Sequence, residues 1–329
     1  MTVAPERFIE FARLKLAADG SDSYIMGVVE LARRYSDQYW YAGVFTAFCS
    51  LPSQEIFADR WSRNDMLTRP DEILAWTIEH WNALPIGSTR RTNRMGPHKL
   101  ITTLSGYARW LESGGPSRIN SSSFDGAFKQ LLGSIPNHGR YTSIKLYEIL
   151  RRIGADLPAM DDIRPKGGRT PRRALNMIYG HDHHHDTPLL LAEANALADE
   201  LRGVVPTTWF NVEMLLCNFS KAVKGSYYPG LGLDHELANV NRVRAIFCPD
   251  AGSLILEQRA RLFPRACLGE LSGWSGRRDE LEKCLSIHGY FWSDLLYDYG
   301  ATTDLARPIT RDISVFLPPL LKGYGEEPS

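Results

Sequence analysis

Net charge is the first thing this 329-residue chain lacks: 38 Lys and Arg residues balance 38 Asp and Glu residues. The molecule as a whole therefore has no field that draws it to nucleic acid or to an acidic membrane, and any polyanion site must be a local patch. Cysteine is scarce as well. The five thiols, Cys49, Cys217, Cys248, Cys267 and Cys284, form no CxxC pair and no iron–sulfur spacing, so they read as buried thiols. No apolar run approaches the roughly 20 residues that cross a bilayer. The opening stretch, MTVAPERFIEFARLK, carries charges where a signal peptide has an apolar core, and the expectation is a cytosolic protein. Strand signals are few, confined to Val243 to Phe247 and Ile313 to Leu317 as short strands or extended segments. Internal repeats are missing, and the His181 to Asp186 tract is the sole low-complexity segment.

What is present is a folded chain, 43% hydrophobic and 23% charged, with apolar residues at helical spacing through its first half. The spacing predicts helices around Phe8 to Leu16, Ile25 to Ala32 and Tyr39 to Phe48. Pro70, with Asp71 and Glu72 in a first turn, opens another that runs to about Ala83. Further helices are expected over Lys99 to Glu112, Phe124 to Leu132, Tyr141 to Arg152, Pro188 to Leu201 and Trp209 to Lys221. Gly154 is the expected stop after Arg152, and Asp186 or Thr187 the cap before Pro188. Asp156 to Pro171 reads as irregular. The fold class is mainly α, as one unit over residues 1–329 or as two lobes around a cleft. Residues 1–120 with 188–329 would then form one lobe and residues 121–187 the other. The best inter-lobe stretch is Gly167 to Asp186. Eight tryptophans and fourteen tyrosines suit a packed helical core and suit stacking on bases equally.

The most informative segment is Leu131 to Ser143, which sets an apolar residue, a proline and a glycine turn between two helices. Such a hairpin presents consecutive backbone N–H groups at the start of its second helix, where they and the helix dipole hold a phosphate without reading sequence. Asn137 tolerates the left-handed backbone of the turn, and Gly139 is expected to keep its tighter position. An ordinary turn between two helices has the same ingredients.

Two basic stretches accompany the hairpin. Arg90, Arg91, Arg94 and Lys99 stand at a helix entrance and suit a pyrophosphate cradle, since guanidinium forks bind phosphate oxygens in pairs; the alternative is a solvated basic loop. Arg164 to Arg173, with Lys166 and Arg169, lacks Walker spacing and reads as a backbone-tracking segment. Asp161 and Asp162 are either helix-capping or loop carboxylates, or a catalytic base. His181 and His183, two apart, would share an ion only in an extended segment. Tyr227 to Gly232 with Asp234, His235 and Glu236 reads as a surface turn more than a closing loop. Phe291, Trp292, Tyr297 and Tyr299 read as core with a polar face.

The hairpin resembles that of the helix-hairpin-helix DNA glycosylases, whose pattern runs roughly Leu-Pro-Gly-Val-Gly-Arg-x-Thr-Ala. It is matched here by Ile135, Pro136, Gly139, Arg140, Thr142 and Ser143. That resemblance, over about residues 124 to 178, implies a glycosylase-like fold. It places Asn137, Gly139, Arg140, Thr142, Lys166 and Arg169 on DNA and puts Asp162, or Asp161, in the position of the catalytic aspartate. Tyr141 stands where bifunctional members carry lysine, which disfavours Schiff-base lyase chemistry. Their usual aspartate, threonine and histidine pattern and their cluster cysteines are not kept. With the separate Arg-rich loop, the layout from about 40 to 240 resembles the alpha-glutamyl/putrescinyl thymine pyrophosphorylase group of phage DNA hypermodification enzymes, which includes the amino acid:DNA transferases.

This second resemblance implies a transferase on double-stranded DNA carrying a modified thymine. It would displace pyrophosphate from 5-pyrophosphoryloxymethyl-deoxyuridine with an amine, from an amino acid such as glycine or from a polyamine. The modified base would leave the stack to react. The setting would be the cytoplasm of an infected bacterial host. No resident cofactor is implied; Mg²⁺ on the pyrophosphate is chemically reasonable, though no ligand motif demands it. Two other readings share the hairpin: a monofunctional glycosylase that releases free base, and a DNA-binding module without chemistry.

Overall fold

The structure, a computed structural model, describes residues 5–19, 23–87, 96–161, 168–185, 187–222, 236, 239–240 and 242–243. These residues are mainly helical, with no strand among them. They fall into two compact units, one of residues 24–159 with 236–243 and the other of residues 5–23 with 160–222.

The larger described unit begins with α2 (Ser23–Ala32), which follows α1 (Pro5–Asp19) of the other unit. Its centre is α3 (Gln38–Phe48), in which every residue from Trp40 to Phe48 is buried. A helix apolar all round belongs inside a core, and α3 is covered by α4 (Leu51–Arg60), α7 (Pro97–Glu112) and α9 (Arg140–Arg152). Asp37 starts α3 by accepting from the Trp40 N–H at 3.0 Å. Gly43 is what lets α7 close on it: a Cβ there would lie 1.9 Å from the Tyr107 ring, whose hydroxyl donates to the Tyr39 carbonyl at 2.6 Å.

Next come α5 (Arg63–Thr68) and α6 (Pro70–His80), both packed on α7, and α8 (Phe124–Ser134) on α9. A capping box starts α5, with Ser62 and Asp65 each bonding the other's backbone. Hydrogen bonds from Arg69 and Ser62 hold the Asp65 carboxyl down at about 2. Gly154, at φ 103, ends α9 in the left-handed region, the stop expected from its position.

The other unit gathers α1, α10 (Arg169–Tyr179), α11 (Pro188–Val204) and α12 (Trp209–Ala222). Phe219 of α12 meets Phe8 and Phe11 of α1 edge-on and tilted, each with ring centroids 5.4 Å apart. Thr187 caps α11, its hydroxyl accepting from the Leu190 N–H at 3.1 Å.

Three expectations change. The segment expected to stay irregular to Pro171 is already helical at Arg169, because proline at a third helical position gives up an N–H that has no intrahelical acceptor anyway. The helix expected to reach Ala83 ends at His80 and unwinds through a turn. Val243, expected to open an extended segment, is helical with Arg242. The rest of that segment, residues 313–317, the 227–232 turn and the aromatic residues from Phe291 to Tyr299 lie outside the described residues.

Candidate nucleic-acid interface

Helices α8 and α9 are joined by the turn Ile135 to Gly139. Ile135 is buried and anchors the turn, while Pro136 rests against α7 at Gly106, where a Cβ would come within 2.4 Å of the proline ring. Asn137 takes the left-handed backbone at φ 60, as its residue type permits. Its side-chain amide donates to the Thr103 hydroxyl at 3.2 Å, and that hydroxyl donates in turn to the Lys99 carbonyl at 2.8 Å. The turn is thus tied to the first turns of α7.

Gly139 does not hold the tight position expected of it. Its backbone is extended, at φ −86 and ψ 174, and nothing stands within 4 Å of where a Cβ would be. The left-handed demand falls on Asn137 instead. What Gly139 does supply is an N-cap with no side chain, so the first N–H groups of α9 are not covered by a capping oxygen from that residue. Replacing Asn137 by alanine is expected to cost about 1–2 kcal/mol, from left-handed strain and the lost hydrogen bond to Thr103. Replacement by glycine should recover most of the backbone part, and urea unfolding of the two variants measures the difference.

Asn137 and Gly139 are exposed, Arg140 is half-buried and Thr142 is buried, so the turn and not the first full turn of α9 forms the outer surface. Lys99 is exposed at the start of α7. These four positions and Lys99 belong to one unit. Arg90, Arg91 and Arg94, which precede α7, lie outside the described residues, as do Asp162 and Lys166. Asp161 and Arg169 are described, both exposed, and belong to the other unit.

Beside the turn lies an open cleft of about 580 Å³, bordered by Gly106, Arg109 and Trp110 of α7, Arg118, Gln130 of α8, and Pro136. Gly106, Arg109 and Trp110 share a helical face by their spacing, and Ser113 continues it one turn on. Arg118 ends the short 3₁₀ turn Gly115–Arg118. Neither arginine stood out in the sequence, because each sits among ordinary surface residues and only the fold brings them to one cleft.

A second feature departs from the surface turn expected around Glu236. Glu236 is 1% exposed, with its carboxylate at the start of α4. It accepts from the Leu51 N–H at 2.8 Å, from the Ser50 hydroxyl at 3.5 Å and from the Asn239 amide at 3.3 Å. Burial pushes its carboxyl up to about 8, against the pull of these donors and of Lys145. Lys145 is itself buried, its ammonium 5.2 Å from the Tyr141 ring centroid.

In the histidine tract, the His181 ring meets the Glu193 carboxylate at 2.7 Å, and the His181 and His183 rings lie 4.8 Å apart. No three His, Cys, Asp or Glu side chains are arranged to hold a metal among the described residues. No helix among them is long and apolar enough to cross a membrane.

No curated protein and no solved structure matches this chain. A family model does, the one described as amino acid:DNA transferase, over residues 41–228. That span takes in most of α3, then α4 to α9 with the hairpin turn and its cleft, and α10 to α12. It covers more than half of the chain, which therefore belongs to the amino acid:DNA transferase family.

Proposed function

We propose that this protein, on a helix-hairpin-helix glycosylase-like scaffold, attaches an amino acid through its amine nitrogen to a modified thymine in DNA, with 5-pyrophosphoryloxymethyl-deoxyuridine as the acceptor. The observation that carries this reading is the family match over residues 41–228, joined to a phosphate-ready turn between α8 and α9 inside it.

The proposed step is a substitution at the exocyclic methylene carbon. The amine nitrogen forms a bond to that carbon, the bond from carbon to the pyrophosphate oxygen breaks, and pyrophosphate departs with the electron pair. The nitrogen sheds a proton, for which Asp162, or Asp161, is the acceptor. Arg90, Arg91, Arg94 and Lys99 take the charge that grows on the leaving oxygens. Asn137, Gly139, Arg140, Thr142, Lys166 and Arg169 hold the DNA backbone. The acceptor base must leave the stack, at a cost of a few kcal/mol that phosphate contacts offset.

Mass spectrometry of nucleosides tests the reading, after incubation of pyrophosphoryloxymethyl-uracil duplex with the protein and a pool of amino acids and polyamines. The expected result is a new amino-acid adduct with released pyrophosphate. Free modified base and abasic sites would instead make the protein a glycosylase, and bound but unchanged DNA a binding module. The joint substitution of Arg90, Arg91 and Arg94 by alanine is expected to lower kcat by about 10²–10³-fold, the scale of losing preorganised charge stabilisation.

A further inference from the structure

Several arginines in the larger unit have carboxylate partners: Arg63 meets Asp37 at 2.9 Å, Arg69 meets Asp65 at 2.5 Å, and Arg152 meets Glu148 at 2.7 Å. Arg109 and Arg118 differ from these. Both are exposed, both line the cleft beside the hairpin turn, and neither guanidinium group has a hydrogen bond or ion pair among the described residues. No acidic side chain lines the cleft. Two unneutralised guanidinium groups facing one cavity repel each other and attract an anion.

The walls are held in place without a ligand. Gln130 donates to the Asn120 carbonyl and accepts from its N–H, each at 3.2 Å, which fixes the stretch between the 3₁₀ turn and α8. Ser113 and Ser134 turn their hydroxyls inward to the carbonyls of Trp110 and Gln130. Trp110, Ile119 and the Pro136 ring supply the apolar part of the lining. A phosphodiester has this make-up, an anion carried on an apolar sugar. An open cleft suits a passing strand better than it suits a small amino acid, which needs enclosure and a partner for its ammonium. A polyamine is excluded by like charge. Pro136 belongs to both the cleft and the turn, so a strand at the turn runs past the cleft.

We propose that the cleft between α7 and α8 is a second DNA-backbone site, in which Arg109 and Arg118 bind the phosphates of the strand that also meets the hairpin turn. The proposal rests on the reading that the protein acts on DNA, and its tests separate it from the transfer chemistry.

Binding of a fluorescein-labelled DNA duplex is followed by anisotropy over about 50 to 200 mM salt. Each lost phosphate contact removes about 0.9 from the slope of log K against log salt. The double variant Arg109→Gln with Arg118→Gln is expected to lose about 1–2 of that slope and roughly tenfold in affinity at the low-salt end. The double Lys variant should keep the slope. A Gln variant with the wild-type slope overturns the proposal, and a raised KM for the amino acid alongside it reassigns the cleft to the co-substrate carboxylate. Because a variant can fail for reasons of folding, the unmutated protein supplies a second measurement. Phenylglyoxal modification of Arg109 and Arg118, mapped by peptide mass spectrometry, should slow when duplex is added, and equal rates with and without DNA overturn the proposal. A protected cleft in a protein that yields no nucleoside adduct leaves this proposal standing and removes the transferase reading. An adduct with unprotected arginines does the reverse.

Discussion

Exchanging Glu236 for glutamine is expected to flatten the pH dependence of stability between about pH 4.5 and 8, and to leave the variant more stable than the parent above pH 8. The cause is burial. A carboxyl with an ordinary value of 4.5 is pushed up to about 8 by loss of water around it, so across that interval the folded chain holds a proton that the unfolded chain has released. Wherever the folded state binds more protons, stability falls as pH rises. The contribution is complete below pH 4.5 and lost once pH passes about 8, and a shift of this size corresponds to roughly 4–5 kcal/mol.

Asp65 does not confuse the measurement. Its carboxyl is lowered to about 2, so its own effect has the opposite sign and is confined to pH below 4. Urea unfolding at pH 5, 7 and 9 reads the difference directly. The parent should lose stability at each step while Glu236→Gln holds nearly level, and two parallel curves would mean that Glu236 stays ionised in the fold. Glu236→Ala is a different experiment, since it strands the Leu51 N–H in a buried place at a cost of about 1–3 kcal/mol at every pH.

Glu236 also marks where the sequence stops being informative. Its partner Ser50 is 186 positions away, and nothing local distinguishes this glutamate from the Asp234 and His235 that precede it. Helix α4 is not legible in the sequence for a related reason: Ser53, Gln54 and Glu55 are all buried, so its inward face does not read as apolar. In α9, Lys145 and Glu148 disguise the burial of the whole span from Thr142 to Leu150 in the same way. Elements that bury apolar residues and carry their own punctuation were legible to within a few residues. Helices α8, α9, α11 and α12 are of this kind, with the Gly154 stop and the Thr187 cap.

The candidate site divides along the same line. The hairpin was visible because proline, asparagine and glycine in a short turn restrict the backbone through their own covalent structure. Which of them takes the left-handed position was not, since both Asn137 and Gly139 are able to, and packing against Thr103 decides it. Arg109 and Arg118 acquire meaning only when α7 and the 3₁₀ turn meet at one cleft.

Gly106 joins these pieces, and its replacement by alanine is expected to damage stability and DNA binding together. Its added Cβ would stand 2.4 Å from Pro136 Cδ and 2.6 Å from Cγ, and a proline ring has no rotamer by which to withdraw. Either α7 or the hairpin turn must move. Helix α7 is pinned by Tyr107 lodged over Gly43 and by Leu100, Leu104 and Ala108, each fully buried, so the turn is the part that yields. Overpacking of this kind costs about 1–3 kcal/mol, less whatever alanine returns as the better helix former. Displacing the turn lengthens the Asn137 to Thr103 hydrogen bond and shifts the start of α9, where geometry matters most for a phosphate. Duplex affinity should therefore fall about tenfold or more while Arg109, Arg118 and every other charge remain in place. Thermal melts and anisotropy titrations of Gly106→Ala separate this from a purely electrostatic loss. The affinity drops with the slope of log K against log salt nearly unchanged, because no cation has been removed. Unaltered affinity in a destabilised variant would show that the turn does not touch DNA, and would move the interface elsewhere on the chain.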